Sequence, residues 1–149
     1  MDHIDRAILR ELQLDGRLTI QELAQRVGLT SSPCMRRVRQ LEQDGVIEGY
    51  RAIVNPNAVG RGFEVLVSVE RDTRSVAAFE AELSEIPDVV EAYRLMGSPG
   101  CLLRVAVADL AAYEKLWTDR LTTLTGATAV NSQIIMKPIK QPRGLPVDR

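Results

Sequence analysis

The feature that constrains this chain most is a very short break between two predicted helices near its N-terminus. The first of the two is capped by Thr19, which stands three residues before a glutamate in capping-box spacing, and it stops at Gly28. After only two intervening residues, Ser31 or Ser32 can cap another helix, with Pro33 in its first turn. Two helices joined by so short a turn predict a helix-turn-helix motif.

Hydrophobic spacing completes this first domain. Residues 4–14 carry apolar side chains at helical intervals, which predicts a helix that precedes the motif. The helix after the short break extends to about Asp44 and turns Cys34 and Val38 toward the core. Residues 46–54 then form two short extended pieces around a glycine, which predicts a small hairpin, or wing.

The second half of the chain alternates between strand and helix patterns. The predicted order is strand 63–69, helix 75–85, strands 89–95 and 101–108, a helix capped by Asp109, and strand 128–136. This βαββαβ order is the ferredoxin-like arrangement, so the expected fold class is α+β. The expected organisation is a winged helix-turn-helix domain at 1–54, a linker at 55–61, a ferredoxin-like domain at 62–140 and a flexible, frayed tail at 141–149.

Composition excludes several classes of protein. The 149 residues contain two cysteines, too few for a disulfide scaffold, and neither a signal peptide nor a membrane-length apolar run is recognisable. We therefore expect a cytoplasmic protein without a membrane partner. The net charge is −1, yet the twelve residues 30–41 hold Arg36, Arg37 and Arg39 and no acid. A short basic stripe of this kind is typical of an element that contacts nucleic acid.

Motifs along nearly the whole chain share one known pattern. They are Ile4–Arg17, Glu22–Ala24, Val27–Leu29, Pro33–Glu42, Gly45–Tyr50 and Asn55–Pro56. Together they resemble the leucine-responsive/asparagine regulator family, Lrp/AsnC, and the similarity continues through the βαββαβ half. The resemblance implies a transcription regulator that dimerises, often assembles into octamers, and frequently binds an amino acid between its sensing domains.

The helix after the short break is the expected DNA-reading element, because the second helix of a helix-turn-helix enters the major groove. Arg36 and Arg39 lie three residues apart on one face, and each could donate two hydrogen bonds to a guanine. Arg37 points away from that face and is a better candidate for a phosphate contact. One monomer makes few phosphate contacts, so tight binding predicts a dimer on double-stranded DNA. The predicted DNA-contacting residues are Ser31, Ser32, Pro33, Met35, Arg36, Arg37, Arg39, Gln40, Arg17 and Arg51.

The loop between the two middle strands is the expected effector site. The family has the order Gly-acid-x-acid-Tyr there, and this chain keeps only the glycine, in Gly97-Ser98-Pro99-Gly100-Cys101. One interpretation is that the loop still binds a small molecule through Ser98, backbone groups and Arg94, which would favour an anionic group. The other is a simple tight turn, with regulation by oligomerisation. The predicted effector residues are Arg94, Met96, Gly97, Ser98, Pro99, Gly100, Cys101, Asn131, Ser132 and Gln133.

Two other functions compete with gene regulation as interpretations of this sequence. An enzyme is disfavoured because the one histidine, His3, lies near the N-terminus and because no catalytic set, phosphate loop or metal-ligand spacing is recognisable; we expect no cofactor and no metal. A metabolite-binding module whose regulation is not through DNA remains the alternative, since domains like the C-terminal half also occur in enzymes.

Overall fold

The computed structural model describes residues 1–140 and 144–147. The chain divides into two compact units. Unit 1 consists of Met1–Ile53 together with the described residues after Pro138, and unit 2 is Val54–Pro138. Within the described ranges, every helix falls short of the length and hydrophobicity that crossing a membrane would require.

Unit 1 is built from three helices around a small apolar core. They are α1 (His3–Leu14), α2 (Ile20–Arg26) and α3 (Ser31–Gln43). The predicted capping box starts α2, because the Glu22 backbone N–H donates to the Thr19 hydroxyl at 3.2 Å and the Thr19 N–H donates to the Glu22 carboxylate at 2.8 Å. Gly28 has a φ of 71°, a left-handed value that suits glycine and ends the helix. The helix-turn-helix prediction is confirmed.

Two local predictions for this unit are wrong. The N-cap position of α3 is Thr30 rather than Ser31 or Ser32, and no side chain caps this helix. The predicted wing hairpin is absent, since no residue of the fully described range 46–54 is in a strand. After α3, the backbone N–H groups of Val46 and Ile47 both donate to one α3 carbonyl, and the segment then runs on with Ile53 92% exposed. A two-stranded hairpin is only marginally stable without further packing, and Ile53 and Val54 of this segment are exposed to solvent.

Unit 2 confirms the βαββαβ order. Its elements are a 3₁₀ turn (Asn57–Val59), β1 (Phe63–Arg71), α4 (Val76–Ser84), β2 (Val89–Arg94), β3 (Cys101–Val107), α5 (Leu110–Leu116) with a π-helical continuation (Trp117–Leu121), and β4 (Ala127–Ile134). The four strands form one antiparallel sheet in the order β2-β3-β1-β4. This is the ferredoxin-like arrangement, and the predicted α+β class is confirmed. Asp109 caps α5 as expected, with its carboxylate accepting from the Ala112 N–H at 2.8 Å.

Alternation along the strands divides the sheet into two faces. Val65, Val67 and Val69 of β1 are fully buried and pack with Phe79 of α4 and Leu121 in the main core. We call this side the helix face. The neighbouring side chains of β1 are only half-buried and lie on the opposite side, which we call the open face. The fold therefore leaves one face of a central sheet without a covering layer of its own.

The tail differs from its sequence-based prediction over the part that is described. The Arg6 guanidinium donates to the Val147 carbonyl at 2.9 Å, and the Gln13 amide donates to the Leu145 carbonyl at 3.0 Å. Val147 also packs against the core of unit 1. Residues 141–143 and 148–149, for which fraying was also predicted, lie outside the described residues. At 144–147 the expected frayed end is instead bonded to α1.

Candidate nucleic-acid interface and ligand groove

One face of α3 is a polar stripe turned away from the core of unit 1. The buried residues of α3 are Cys34, Val38 and Leu41, so a core role for the cysteine is confirmed. Opposite them, exposed side chains recur at spacings of four, three and four, which places them on one face of the helix. We call this face the α3 stripe; it consists of Ser32, Arg36, Arg39 and Gln43. Helical spacing in the sequence already places Gln43 away from the core, where it is available to solvent or DNA.

The arginines of the stripe carry unmatched charge. Arg36 and Arg39 form no ion pair or hydrogen bond with any residue in the described ranges. The same holds for the exposed side chains of Arg17 and Arg51, two further predicted phosphate contacts, among the described residues. Because nothing described in the protein neutralises these guanidinium groups, they are available to an external anion.

Arg37 is arranged differently from its two neighbours. Its guanidinium donates to the carboxylates of Asp2 and Asp5, both at 2.7 Å. Asp2 is the N-cap of α1, and its carboxylate also accepts the backbone N–H groups of Ile4 and Asp5. The Asp5 N–H and the Arg37 guanidinium lower the pKa of Asp2 to about 2. Arg37 therefore links α3 to the start of α1, and a phosphate contact would require that link to open.

The remaining predicted contacts of α3 lie around the stripe. Ser31 is exposed in the first turn, where backbone N–H groups point toward solvent, and Pro33 is half-buried beside it. Met35 is exposed on one flank, and on the other the Gln40 amide donates to the Asp44 carboxylate at 2.7 Å. These residues would meet a ligand of α3 only at its edges.

The loop between β2 and β3 is compact and exposed. The Leu95 N–H donates to the Gly100 carbonyl at 3.0 Å, which closes the turn. Gly97 has a φ of 102°, which only glycine adopts readily, and the peptide bond between Ser98 and Pro99 is cis. The predicted contact Met96 projects fully into solvent. The Ser98 hydroxyl donates to the carboxylate of Glu70 on β1.

The polar residues of β4 do not form one cluster with this loop. Ser132 pairs in register with Val67 on the helix face and shares a 2.5 Å hydrogen bond with the Tyr113 hydroxyl. Asn131 and Gln133 alternate with it and lie on the open face, opposite Ser68 and Leu66 of β1. The three predicted effector residues of β4 therefore lie on two different faces of the sheet.

A groove of about 260 Å³ lies on the helix face between α4 and the edge strand β2. Two predicted effector residues, Arg94 and Cys101, line it. The Arg94 guanidinium donates to the Glu80 carboxylate of α4 at 2.6 Å, and burial raises the pKa of the Cys101 thiol. Arg71 at the end of β1 also lines the groove and was missed by the sequence analysis, because its position depends on the pairing of β1 with β3.

Comparison with known proteins identifies both units. Residues 1–48 match a family model described as winged helix-turn-helix DNA-binding, and residues 64–145 match the Lrp/AsnC ligand binding domain. The leucine-responsive regulatory protein of Salmonella typhimurium is 37% identical over 95% of this chain and 88% of its own length.

Solved structures of transcriptional regulators also resemble this chain over nearly its whole length. A transcriptional regulator of Neisseria meningitidis in complex with L-methionine aligns with a TM-score of 0.95 at 33% identity, covering 99% of this chain and 97% of that one. An AsnC family transcriptional regulator of Agrobacterium tumefaciens aligns with a TM-score of 0.92 at 39% identity, covering 99% and 98%.

A helix-turn-helix unit followed by an α+β unit of the ligand-binding type defines a DNA-binding transcription regulator. The chain belongs to the Lrp/AsnC family. The resemblance seen in the sequence motifs is thereby confirmed, and the family is one of regulators rather than enzymes.

Proposed function

We propose that the chain binds operator DNA by placing α3 in the major groove, with Arg36 and Arg39 contacting base edges. The observation that carries this proposal is the α3 stripe, whose two guanidinium groups have no partner among the described residues. A guanidinium can donate two parallel hydrogen bonds to the O6 and N7 atoms of guanine. Ser32 and Gln43 extend the same face toward neighbouring bases or phosphates.

Residues around the stripe supply the phosphate contacts in this proposal. Ser31 offers its hydroxyl in the first turn of α3, next to backbone N–H groups that no side chain caps. Arg17 and Arg51 add cationic side chains from outside the helix. Such contacts position a protein on DNA without reading sequence, and they make affinity depend on salt.

The active form in this proposal is a dimer or a higher assembly built through unit 2. The open face of its sheet presents Leu66 and Leu102 half-buried and Tyr93 exposed, beside Arg104, which is held by Glu64 and Glu91 at 2.7 and 2.6 Å. A second copy laid on this face would cover its apolar groups. Two copies of α3 would then read half-sites about one helical turn apart or a multiple of it.

Unit 2 also gives the regulator its effector. The domain type is a ligand-binding one, and the Neisseria meningitidis relative was solved with L-methionine. We propose that a small molecule bound to unit 2 changes the affinity for DNA. By linkage, DNA must then change the affinity for that molecule by the same factor.

The decisive test compares two double variants that remove the same charge. Arg36→Ala with Arg39→Ala is expected to abolish the preference for DNA from upstream of the chain's own coding region over a scrambled duplex. Each lost bidentate contact is worth about 1–3 kcal/mol, so the ratio of the two affinities should fall at least about tenfold. The measurement is fluorescence anisotropy at several stated salt concentrations.

The matched control is Arg74→Ala with Arg120→Ala, which removes two exposed arginines of unit 2. It should keep the preference. If the α3 double variant retains the wild-type ratio, α3 does not read sequence. Light scattering on the wild-type protein tests the assembly, and a monomer both with and without DNA would contradict the dimer.

A further inference from the structure

The groove between α4 and β2 contains one charge that the protein does not balance with an ion pair. Four charged residues line the groove: Arg94 is paired with Glu80, and the carboxylate of Glu91 lies on the open face, where it accepts from Arg104 at 2.6 Å. Arg71 is the exception: its guanidinium forms no ion pair with a described residue. It donates to the Asp72 carbonyl at 3.3 Å and lies over the Phe79 ring, 6.0 Å from its centroid.

The nearby acids are occupied elsewhere. The Asp72 carboxylate accepts the backbone N–H groups of Arg74 and Ser75 at 2.8 and 2.9 Å, and it forms no ion pair with Arg71. The Glu70 carboxylate accepts the hydroxyl of Ser98. Arg71 therefore keeps donor capacity directed into a groove whose walls include Leu83, Val89 and Cys101.

Gly100 lies beside Arg71 and brings no side chain to it. A Cβ atom built at Gly100 would lie 3.5 Å from Cγ and 3.9 Å from Nε of Arg71, so a carboxylate side chain at this position would reach the guanidinium. Gly100 does not have a positive φ, and these distances are ordinary van der Waals contacts. The backbone would thus accept a larger residue. Because glycine brings no side chain here, the guanidinium of Arg71 stays open to a ligand.

We infer that this groove binds a small monocarboxylate that lacks an α-ammonium group, such as a 2-oxo acid, with the carboxylate on Arg71 and the apolar part against Leu83 and Val89. The inference rests on the proposed effector role of unit 2 and names its ligand class. A carboxylate and a guanidinium form strong charge-assisted hydrogen bonds. The groove is slightly smaller than the roughly 300–1,000 Å³ typical of ligand sites, which suits a small acid.

The same charges disfavour an amino acid. An α-ammonium group in the groove would lie near two arginines, and the carboxylate on this side of the sheet, that of Glu80, is already bonded to Arg94. Binding the ammonium group would require that pair to open. The groove therefore discriminates against ligands that carry an α-ammonium group, whatever their side chain.

Isothermal titration calorimetry on the full chain tests this with pairs of ligands that differ only at the α-carbon. The pairs are 4-methyl-2-oxopentanoate with leucine, and 4-methylthio-2-oxobutanoate with methionine. We expect at least one 2-oxo acid to bind about tenfold or more tightly than its amino acid, a difference of about 1.4 kcal/mol. Equal or tighter binding of the amino acids, or no binding of either 2-oxo acid, would overturn the inference.

Three variants localise the site. Arg71→Gln should weaken 2-oxo acid binding about tenfold or more, because a charged donor is lost. Gly100→Asp should remove the preference for the 2-oxo acid by neutralising Arg71 within the protein. Arg74→Gln, a neighbouring arginine outside the groove lining, should bind as the wild type does. Wild-type binding by Arg71→Gln, or an unchanged preference in Gly100→Asp, places the ligand elsewhere and contradicts the inference.

DNA affinity measured on the same samples without ligand separates this inference from the proposed function. A wild-type chain that binds its DNA but does not prefer 2-oxo acids contradicts only the ligand class. A chain that prefers 2-oxo acids in an Arg71-dependent way but does not bind DNA supports the groove and contradicts the regulatory role of α3.

Discussion

The two units of this regulator use arginine in opposite ways. On the sheet of unit 2, Arg104 donates to carboxylates on two neighbouring strands, those of Glu64 and Glu91. On α3 of unit 1, Arg36 and Arg39 have no such partners among the described residues. Charges that form ion pairs inside the chain help to order its own strands. Charges without such pairs on an exposed helix face are available to an external ligand. Position in the sequence does not distinguish the two uses.

The contrast also exists between adjacent residues of α3. Arg36 points outward, and Arg37 is bonded to Asp2 and Asp5 of unit 1. A similar contrast exists in unit 2, where Arg94 is paired and Arg71 is not. We propose that Arg36 and Arg39 mark the surface that receives DNA in unit 1, and that Arg71, which lies in a groove, marks the surface that receives a carboxylate in unit 2.

The largest expected effect tests whether burial rather than charge carries stability. Phe79 is fully buried in the core of unit 2, and Phe79→Ala should lower the free energy of unfolding by about 3–5 kcal/mol, because it leaves a cavity. Arg36→Ala, at an exposed and unpaired position, should change it by less than about 0.5 kcal/mol. Urea denaturation followed by circular dichroism measures both. A loss of similar size in the two variants would contradict the division between structural and ligand-binding residues.

An intermediate effect separates Arg37 from a true phosphate contact. Arg51→Ala should reduce the slope of log affinity against log salt by about 0.9, the value for one lost phosphate contact. Arg37→Ala should leave that slope unchanged and instead lower the melting temperature of unit 1, because the contacts to Asp2 and Asp5 are lost. Anisotropy titrations at four salt concentrations and thermal unfolding provide the two readouts. A reduced slope for Arg37→Ala would mean that its pairs open on DNA.

The smallest expected effect concerns pH. The pKa of Asp2 is lowered from its ordinary value of 3.8 to about 2 by the Asp5 N–H and by Arg37. A carboxyl group with a lowered folded-state pKa stabilises the fold above its unfolded-state pKa, and this contribution disappears as the pH falls through the folded value. The melting temperature of the wild type should therefore be higher than that of Asp2→Asn at pH 7. The difference between the two melting temperatures should vanish between about pH 4 and pH 2. A difference that persists at pH 2 would show that the carboxylate charge is not its source.

The sequence was sufficient for most of the fold because local rules govern most of it. The capping box at Thr19, the turn at Gly28 and the alternation of β1 all act over a few residues and were predicted correctly. The hairpin over residues 46–54 was not, since a pair of strands without further packing is only marginally stable. The bonds of residues 144–147 to α1 were not predicted either, because they join residues more than 130 positions apart.

The candidate sites show the same limit. Helical spacing was enough to place Arg36 and Arg39 on one face, but the pairing of Arg37 depends on contacts across more than thirty residues. Strand alternation in β4 places Ser132 on one face of the sheet and its neighbours Asn131 and Gln133 on the other, and this separation is readable from the sequence. Arg71 could not be found from the sequence, because its position in the groove follows from the register of two strands distant in the chain.

The bonds between the C-terminal segment and α1 make unit 2 an insertion within unit 1 rather than an appendage to it. Exchanging the sensor between related regulators would thus require two cuts, one near Ile53 and one near Pro138. A chimera joined at a single point would keep the α1 of one parent beside a C-terminal segment selected to fit the other.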